Sequence, residues 1–483
     1  MQKKSILIPI VSSVYLIVSP PAFPQFDTVP TKDPINNFLK QKEAKGIIER
    51  HRDAIQSNST VTSWLRVEPV SQLSLRTYYF STDHPFDRFV LFNSDGDVLD
   101  RSWNPFLDVE GRGDAVSRFF FSYKVQARRP GRVVLKRLSL MLKTDDVSLE
   151  AGRGAIWIGH GYHGSLLLSN NAEPYSLIKF QTERTIRLPY IGGFRYMIFN
   201  GWPQNFKILG HRFSWLPWPW LQIAGNQTVA YKENFKLWEF PKVLSAAEEN
   251  VPGRFDNDQR ASIDVELYLP FLSDMLPALQ DAKIYYEYAG EDLGAWWQGE
   301  DKVWVGLVGF QFLDIGRMYG IWLSTGDNEL RVEYARNYIL KGPFFDLSRD
   351  LRSSGFSRKW YRKVPFVNQG SIMGHHMGNG ADDLFIEITH KWRGSSLRFF
   401  YDSERHGLVN PSLLPEETPE KLSQYGLEYS RSFEALEVTT LLMWNDYRNP
   451  DTDPDPLELR PIPATGADDF IVGVTLTYRF GSE

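Results

Sequence analysis

The stretch FIVGVTLTYRF, residues 470–480, decides the fold. Its apolar and aromatic side chains recur at every second position, and mostly small or polar residues lie between them. Successive side chains of a β-strand point to opposite faces, so the stretch predicts a strand with one apolar and one polar face. The apolar face comprises Phe470, Val472, Val474, Leu476, Tyr478 and Phe480, and the polar face Gly473, Thr475, Thr477 and Arg479.

The same two-faced pattern recurs upstream. It is clearest at Ile263, Val265, Leu267 and Leu269, at Ile284, Tyr286 and Tyr288, and at Leu384, Ile386 and Ile388. Turn signals such as Asp95-Gly96 and Pro130-Gly131 lie between strand-like segments. Two further turns, at 314–317 and 325–328, are predicted to join three strands within 302–336.

These segments number roughly 16–18, an even count typical of bacterial outer-membrane barrels. The fold class predicted is therefore all-β, a large antiparallel transmembrane β-barrel, because closure leaves no sheet edge unpaired. Strands without intervening helices argue against Rossmann and TIM-type enzymes. A soluble sandwich or propeller is the alternative, but no blade-length repeat is present. A terminal strand that ends in an aromatic also resembles the signal read by the outer-membrane assembly machinery, although three residues follow Phe480.

The N-terminal region divides into two parts. Lys3 and Lys4, an apolar run at 6–18 and small residues up to Ala22 predict a secretory signal peptide, 1–22, too short to span a bilayer. Residues 23–65 are predicted to be an N-terminal helical segment, since 33–56 carries its apolar side chains on one helical face. The remainder, 66–483, is assigned to the outer-membrane β-barrel.

Composition agrees with an exported barrel. The 483 residues contain no cysteine, which excludes disulfides and thiolate chemistry. Aromatic residues make up 14%, with 15 Trp and 22 Tyr, and such rings suit the two interfaces of a membrane barrel. Trp218 and Trp220, beside a short turn, are interpreted as part of such a girdle. A net charge of −5 gives no sign of a nucleic-acid partner.

The central stretch GRGAIWIGHGYHGSLLLSNNAEPYSLIKF, residues 152–180, contains the spacing G-x-G-x-x-G at Gly159, Gly161 and Gly164. A dinucleotide fingerprint must open a helix. Here the chain runs through three leucines into a Ser-Asn-Asn sequence and Pro174, so no cofactor is expected. The glycines are interpreted as places where backbone passes close to backbone inside a crowded lumen.

Catalytic and metal motifs are weak. Asp382 and Asp383 are neighbours in a predicted strand, so their side chains point to opposite faces and cannot act as a pair. His375 and His376 lack the H-E-x-x-H spacing and have no further ligands beside them, so no metal site is expected. There is no G-x-S-x-G elbow and no P-loop. The protein is predicted not to be an enzyme.

Two long motifs, GRGAIWIGHGYHGSLLLSNNA at 152–172 and GHHMGNGADDL at 374–384, resemble the Wzi family of capsule-assembly outer-membrane proteins. The resemblance runs from about Arg112 to the C-terminus. It implies an outer-membrane barrel closed at its periplasmic end by helices, the role then expected of 23–65, and a lectin that holds polysaccharide on the cell surface. The motif positions carried over are Arg153, Trp157, Gly159, Gly161, Gly164, Asn170, Asn171, Gly374, His375, His376, Asp382 and Asp383. Two roles are considered for these residues: they contact the glycan, or they hold the lumen shut.

Long connections, at 231–260, 344–383, 402–422 and 445–469, alternate with short turns, as expected when loops face outward. The segment 344–367 interleaves basic and aromatic residues. Arginine binds carboxylates in a bidentate manner, and aromatic faces stack on sugars. The candidate polysaccharide-binding residues are Arg349, Arg352, Arg358, Lys359, Trp360 and Arg362. The alternative is a solvated basic loop or one that meets lipopolysaccharide phosphates.

The function predicted is that of an outer-membrane lectin that binds capsular or extracellular polysaccharide and helps attach or assemble it at the cell surface. The expected partners are that polysaccharide, outer-membrane lipid and lipopolysaccharide, with the polysaccharide export machinery as a further candidate and no nucleic acid. The alternative is a porin, in which basic residues would line an open lumen. The predicted helix at 33–56 discriminates between the two, because a helical plug would close the pore.

Overall fold

The structure is a computed structural model. It describes residues 65–81, 88–116, 118–129, 131–232, 257–276, 278–294, 303–305, 310–337, 366–378, 380–406, 420–448 and 467–481. The predicted signal peptide, the helical pattern at 33–56 and hence the expected helical plug lie outside the described residues.

The described chain is almost entirely strand. The strands are β1 (Leu65–Phe80), β2 (Arg88–Val90), β3 (Val98–Asp100), β4 (Ser102–Ala115), β5 (Phe119–Arg128), β6 (Arg132–Lys143), β7 (Val147–Gly154), β8 (Tyr175–Thr182), β9 (Ile186–Leu188), β10 (Gly192–Trp202), β11 (Lys207–Trp218), β12 (Leu221–Tyr231), β13 (Asn257–Tyr268), β14 (Asp281–Gly294), β15 (Val303–Val305), β16 (Phe310–Ser324), β17 (Asn328–Arg336), β18 (Val367–Asn368), β19 (Ser371–Ile372), β20 (Asp382–Trp392), β21 (Ser395–His406), β22 (Glu420–Phe433), β23 (Leu436–Arg448) and β24 (Ala467–Arg479). One short helix, α1 (Phe271–Met275), follows β13. No helix in the described ranges is long and apolar enough to cross a membrane.

Eighteen of the described strands form one closed antiparallel barrel; the other six are short additions. Each wall strand pairs with the next wall strand along the chain, and the ring closes where β1 pairs with β24, with Leu75 opposite Leu476. The predicted fold class and strand number are thus confirmed. So is the alternation in β24, because Phe470 is 47% exposed and Ile471 is fully buried.

Two sequence expectations about strands need correction. The turn predicted at 314–317 is wrong, since β16 continues through these residues. On the neighbouring strand β14, Gly290 pairs with Ile315 and the next residue, Glu291, pairs with Leu313. Residue 314 of β16 therefore has no partner and forms a β-bulge, not a turn. The hairpin at Asp95-Gly96 does form, as β2 and β3, but it makes its own two-stranded sheet and is not part of the wall.

The connections differ at the two ends of the barrel. At one end, here the short-turn end, many neighbouring strands are joined by a few residues, such as 144–146, 219–220 and 393–394. The opposite end, here the long-loop end, carries the longer connections, such as 155–174, 232–256 and 337–381. In outer-membrane barrels short turns face the periplasm and long loops face outward, so the long-loop end is extracellular.

The outer surface of the wall is apolar and aromatic. Trp218 and Trp220 stack with ring centroids 5.1 Å apart at the short-turn end, and both are exposed. Tyr79, Trp103 and Phe470 form a second aromatic group toward the long-loop end, with centroid distances of 5.3 and 5.9 Å. Aromatic rings at both ends of an apolar band are the arrangement expected of a barrel in a bilayer, and the positions of these rings agree with the girdle interpretation.

The lipid-facing band can be tested with a depth-matched pair of substitutions. Val474 lies on the outer face near the middle of β24, whereas Phe480 lies on the same face beyond its end. Val474→Arg should destabilise the barrel by about 2–4 kcal/mol and Phe480→Arg by about 0–1 kcal/mol, because a buried cation costs most at the bilayer centre. Equilibrium urea unfolding in lipid vesicles measures both, and equal costs would contradict the assigned band.

Candidate functional site

The lumen is occupied by three segments that enter from the long-loop end. We name them the hairpin insert (88–101), the central insert (155–174) and the histidine insert (366–381, described apart from 379). The central and histidine inserts share one apolar cluster with the inner wall, and its fully or almost fully buried members include Ile158, Leu166, Leu167, Leu168, Phe366, Met373 and Met377. Burial of this many apolar side chains fills the described part of the lumen with protein.

The histidine insert corrects one expectation. The connection 344–383 was expected to be an outward loop, but its last part folds into the barrel. Phe366 is fully buried and its ring lies 3.6 Å below the guanidinium of Arg260. Met373 pairs its backbone N–H with the carbonyl of Phe366 and its own carbonyl with the N–H of Ser169. The apolar side chains of this part leave water when they pack in the lumen, which explains its inward course.

The tip of the central insert is the sequence GHGYHG, residues 159–164. Two wall carboxylates accept its backbone N–H groups. Glu333 accepts from Tyr162 at 2.9 Å and from His163 at 2.7 Å. Glu287 accepts from Gly161 and, at 3.3 Å, from Leu166. Successive N–H groups that converge on a carboxylate satisfy donors that have no ladder partner, so these contacts attach the tip to β14 and β17.

The three glycines of the tip are required by space. Gly159 has φ +139°, and a Cβ there would lie 2.3 Å from a Glu287 carboxylate oxygen. A Cβ on Gly161 would lie 2.0 Å from the carbonyl oxygen of Gly164. No helix follows them, so the structure agrees with the interpretation as close backbone approach inside the lumen and not as a dinucleotide fingerprint.

His160 carries the central insert almost through the barrel. Its Nδ1 lies 3.3 Å from Glu266, which is two residues before the short-turn end of β13. Its Nε2 lies 3.2 Å from the guanidinium of Arg212, and that arginine pairs with Asp264 at 2.6 Å. The central insert therefore contacts both the extracellular half and the periplasmic half of the wall.

Several other motif residues join the inserts to each other. The Asn170 side-chain amide donates to the backbone carbonyl of Asn93 at 2.9 Å, and the Asn170 backbone carbonyl accepts the N–H of Asp95 at the same distance. Asn171 donates to the carbonyl of Ile372 at 3.2 Å. The asparagine pair thus connects the hairpin and histidine inserts through the central one.

The remaining motif residues are distributed as follows. Arg153 ends near Glu173, at 3.9 Å, and Trp157 is half-buried in the central insert. Gly374 accepts a hydrogen bond from Ser169 at 2.6 Å, and Gly164 packs against His375. The Asp382 carboxylate accepts a hydrogen bond from the guanidinium of Arg405. Asp382 and Asp383 lie on opposite faces of β20, as the alternation of a strand requires. Most of the motif therefore lies in or beside the lumen.

Four side chains from distant parts of the chain meet beside the tip. His163 Nε2 lies 3.0 Å from Asp402, and His376 Nε2 lies 3.2 Å from Asp383. Each of these four side chains offers one nitrogen or oxygen atom that could bind a metal ion, and these four atoms all lie within 4.8 Å of one another. Glu404 is next to them, 3.4 Å from His376. Burial, reinforced by the neighbouring histidines, lowers the pKa of His375 well below its ordinary value.

Sequence reasoning missed His163, Asp402 and Glu404. The expectation of no metal site considered His375 and His376 with their sequence neighbours only. A usable signal did exist, since Asp402, Glu404 and His406 recur at every second position and so face the same side of β21. The candidate polysaccharide-binding residues Arg349, Arg352, Arg358, Lys359, Trp360 and Arg362 lie outside the described residues.

The hairpin insert is fixed to the wall by buried ion pairs. Asp97 lies 2.8 Å from Arg76 and 2.9 Å from Lys136, and Asp95 lies 2.6 Å from Arg137. Lys136 also contacts Glu173 of the central insert at 3.1 Å. Burial alone would raise the pKa of Asp97, but the charges of Arg76 and Lys136 outweigh it and lower that pKa. The carboxylate therefore stays ionised within the barrel.

These features define a class: an outer-membrane β-barrel whose lumen, in the part that the structure describes, is filled by inserts from its long-loop end. Residues 87–457 match the family described as capsule assembly protein Wzi. The match covers more than half of the chain, so the protein belongs to the Wzi capsule-assembly family, as the sequence motifs indicated. No protein of curated function matches the chain by sequence.

One solved structure shows the same fold, and two others are less similar. Wzi of Escherichia coli, described as an outer-membrane protein involved in group 1 capsule assembly and as a carbohydrate-binding β-barrel, superimposes with a TM-score of 0.59 at 14% identity over 85% of each chain. OpdQ of Pseudomonas aeruginosa gives 0.46 at 9% identity over 86% of this chain and 97% of its own. OccAB2 of Acinetobacter baumannii gives 0.45 at 8% identity over 85% and 97%.

The tip can be tested with a pair of glycine substitutions. Gly161→Ala should destabilise the barrel by roughly 1–3 kcal/mol, because the added methyl group meets backbone that cannot move aside. Gly225→Ala is the control, since a Cβ there has no atom within 4 Å. Thermal unfolding in detergent and single-channel conductance report stability and closure of the lumen. If the two variants behave alike, the tip is not a close-packed contact.

The hairpin insert should loosen in acid. Because the folded-state pKa of Asp97 is lowered, its stabilisation is complete above the ordinary Asp value, about 3.9, and disappears as the pH falls through the lowered value. Hydrogen exchange at residues 89–99, followed between pH 6 and pH 2 (roughly the range of the linkage), measures this. Asp97→Asn should lose most of the dependence, whereas Asp145→Asn, at an exposed ion pair of the short-turn end, should keep it.

Proposed function

We propose that this protein is a non-enzymatic outer-membrane lectin that binds capsular or extracellular polysaccharide and holds it at the cell surface. The observation that carries the proposal is that segments of the long-loop end fill the described part of the lumen. A diffusion channel needs an aqueous path, and here the described lumen contains a shared apolar cluster and carboxylates already bonded to backbone amides. Membership of a capsule-assembly family supports the same assignment.

The extracellular surface is then the part available to a ligand. A polysaccharide repeats one unit many times, so several weak contacts on one rigid surface add up to strong attachment. The described inserts are bonded to each other and to the wall, which holds the described part of that surface in place. Rigidity reduces the conformational entropy lost when a polymer binds.

We assign the glycan contacts to Arg349, Arg352, Arg358, Lys359, Trp360 and Arg362. The described residues on either side of this segment, Asn337 and Phe366, both lie at the long-loop end of the wall and lumen. Guanidinium groups suit uronate or phosphate groups, and an indole face suits a sugar ring. An acidic polysaccharide is the ligand class that fits this composition best.

Lipopolysaccharide and the polysaccharide export machinery are proposed as further partners. Arg129 and Arg132 are exposed at the long-loop end beside the exposed apolar side chains of Val133 and Trp103. Cations directly above an apolar band suit the phosphates of the outer leaflet. The export machinery is included because the family assembles capsule.

The proposal predicts binding without conduction. The purified, folded protein should bind the polysaccharide of its own host saturably and show no steady conductance in a planar bilayer. Replacing the six assigned residues together, with glutamine for the basic ones and alanine for Trp360, should weaken binding at least about tenfold, because bidentate and stacking contacts are lost. Surface plasmon resonance on immobilised polysaccharide and single-channel recording provide the two readouts.

A double variant at the opposite end is the matched control. Arg184 and Arg187 are exposed near the short-turn end, so Arg184→Gln with Arg187→Gln lowers the positive charge without touching the extracellular face. Its affinity should stay at the wild-type level. Steady conductance without polysaccharide binding would overturn the lectin assignment in favour of a porin.

A further inference from the structure

The cluster beside the tip has the composition and spacing of a metal centre. We propose that His163, His376, Asp383 and Asp402 bind one divalent transition-metal ion, best matched by Zn²⁺, inside the barrel. Two imidazoles and two carboxylates are ligands that zinc accepts in four-coordinate sites. None of this depends on whether the outer surface binds glycan.

The distances fit tetrahedral coordination. Zinc lies about 2.1 Å from nitrogen and oxygen ligands, so two ligands of a regular tetrahedron lie about 3.4 Å apart. The four nitrogen-to-oxygen distances between the two histidines and the two aspartates are 3.0, 3.2, 3.8 and 3.9 Å. These four values bracket the ideal edge, and all four ligand atoms lie within 4.8 Å of one another, so movement of the side chains alone would complete the geometry.

The carboxylates need a cation that the described protein does not supply. Asp383 is 2% exposed and Asp402 is 1% exposed. Both carboxylate oxygens of Asp383 and Oδ1 of Asp402 are buried and accept no hydrogen bond from the described residues. In the described ranges, every ion pair to these two aspartates comes from a histidine. Buried carboxylate oxygens that lack hydrogen-bond donors are costly to keep in the charged form, and one divalent cation would balance both carboxylates.

The ligands are held in place by their surroundings. The His163 ring stacks on Phe385 with centroids 3.8 Å apart and an angle of 6°. The His376 ring stacks on Phe92 of the hairpin insert at 4.2 Å and 19°. Asp383 and Asp402 lie on adjacent, paired strands, with Phe385 directly opposite Asp402. Fixed ring planes and fixed backbones reduce the reorganisation that metal binding requires.

Glu404 lies around the same centre. Its Oε1 is 3.4 Å from His376 Nε2, and its Oε2 is 2.7 Å from His406 Nε2. It can serve as a fifth ligand or orient His376 from outside the coordination sphere. Either way its removal should weaken metal binding less than removal of one of the four ligands.

The ion would join parts of the chain that are far apart in sequence. His163 belongs to the central insert, His376 to the histidine insert, and the aspartates to β20 and β21. A metal bound only by the folded barrel stabilises it by mass action. The proposed role is therefore structural: the ion fixes both inserts to the wall.

The test measures metal content and metal-dependent stability in the full-length protein. The protein is purified without metal-affinity chromatography, stripped with EDTA, dialysed and titrated with ZnCl₂. Wild-type protein should take up one zinc per chain by atomic emission, and its thermal midpoint should rise on addition of zinc. His376→Gln and Asp402→Asn should abolish stoichiometric uptake, and Glu404→Gln should weaken zinc binding roughly 10–100-fold.

Two controls keep the outcome interpretable. His390→Gln removes an exposed histidine near the short-turn end, 2.8 Å from Asn328, and should bind zinc as the wild type does. The stripped wild-type protein needs no substitution, so its response to zinc is informative even if a variant fails to fold. No uptake and no rise in the thermal midpoint for stripped wild type would overturn the proposal. The proposal would also be overturned if His390→Gln abolished zinc uptake while His376→Gln and Asp402→Asn did not.

Discussion

Every backbone amide that enters the barrel lumen must find an acceptor there, because the chain displaces the water that would otherwise serve. The wall strands satisfy their own amides through their ladders, but the tip of the central insert has no ladder. Glu287 and Glu333 supply the missing acceptors from the wall. The course of the central insert depends on these contacts, and the positions of the other two inserts depend on the central one through Asn170 and Asn171.

This arrangement separates two tasks that a single barrel has to perform. The outer face supplies apolar and aromatic contacts to lipid, and the inner face supplies charges that hold the inserts. Charged residues inside a barrel are paired or bonded because isolated ones would be too costly. The pairs of Asp95 and Asp97 with Arg137 and Lys136 follow this rule. Among the described residues, Asp383 and Asp402 have only histidines as ion-pair partners, and a bound cation there would restore the balance of charge.

The sequence predicts the wall well and the lumen poorly. Strict alternation, as between Phe470 and Ile471, identifies a strand and its two faces without any long-range information. A bulge defeats the same reasoning, since one extra residue in β16 looked like a turn. The leucines at 166–168 form an apolar run that could equally be a short buried strand, so their place in the lumen could not be predicted. The candidate site was harder still, because His163 and Asp402 are 239 residues apart and only barrel closure brings them together.

The hairpin insert also bears on the order of assembly. It packs in one cluster with Phe80 of β1 and Ile471 of β24, the two strands that join the start and end of the barrel. Ser81, just after β1, donates its backbone N–H to the carbonyl of Phe470 across the same seam. Contacts between chain ends form late because the loop entropy of the whole intervening chain opposes them. The insert therefore adds side-chain packing to the pair of strands whose pairing loop entropy disfavours most, so docking of the hairpin favours closure of the barrel along its seam.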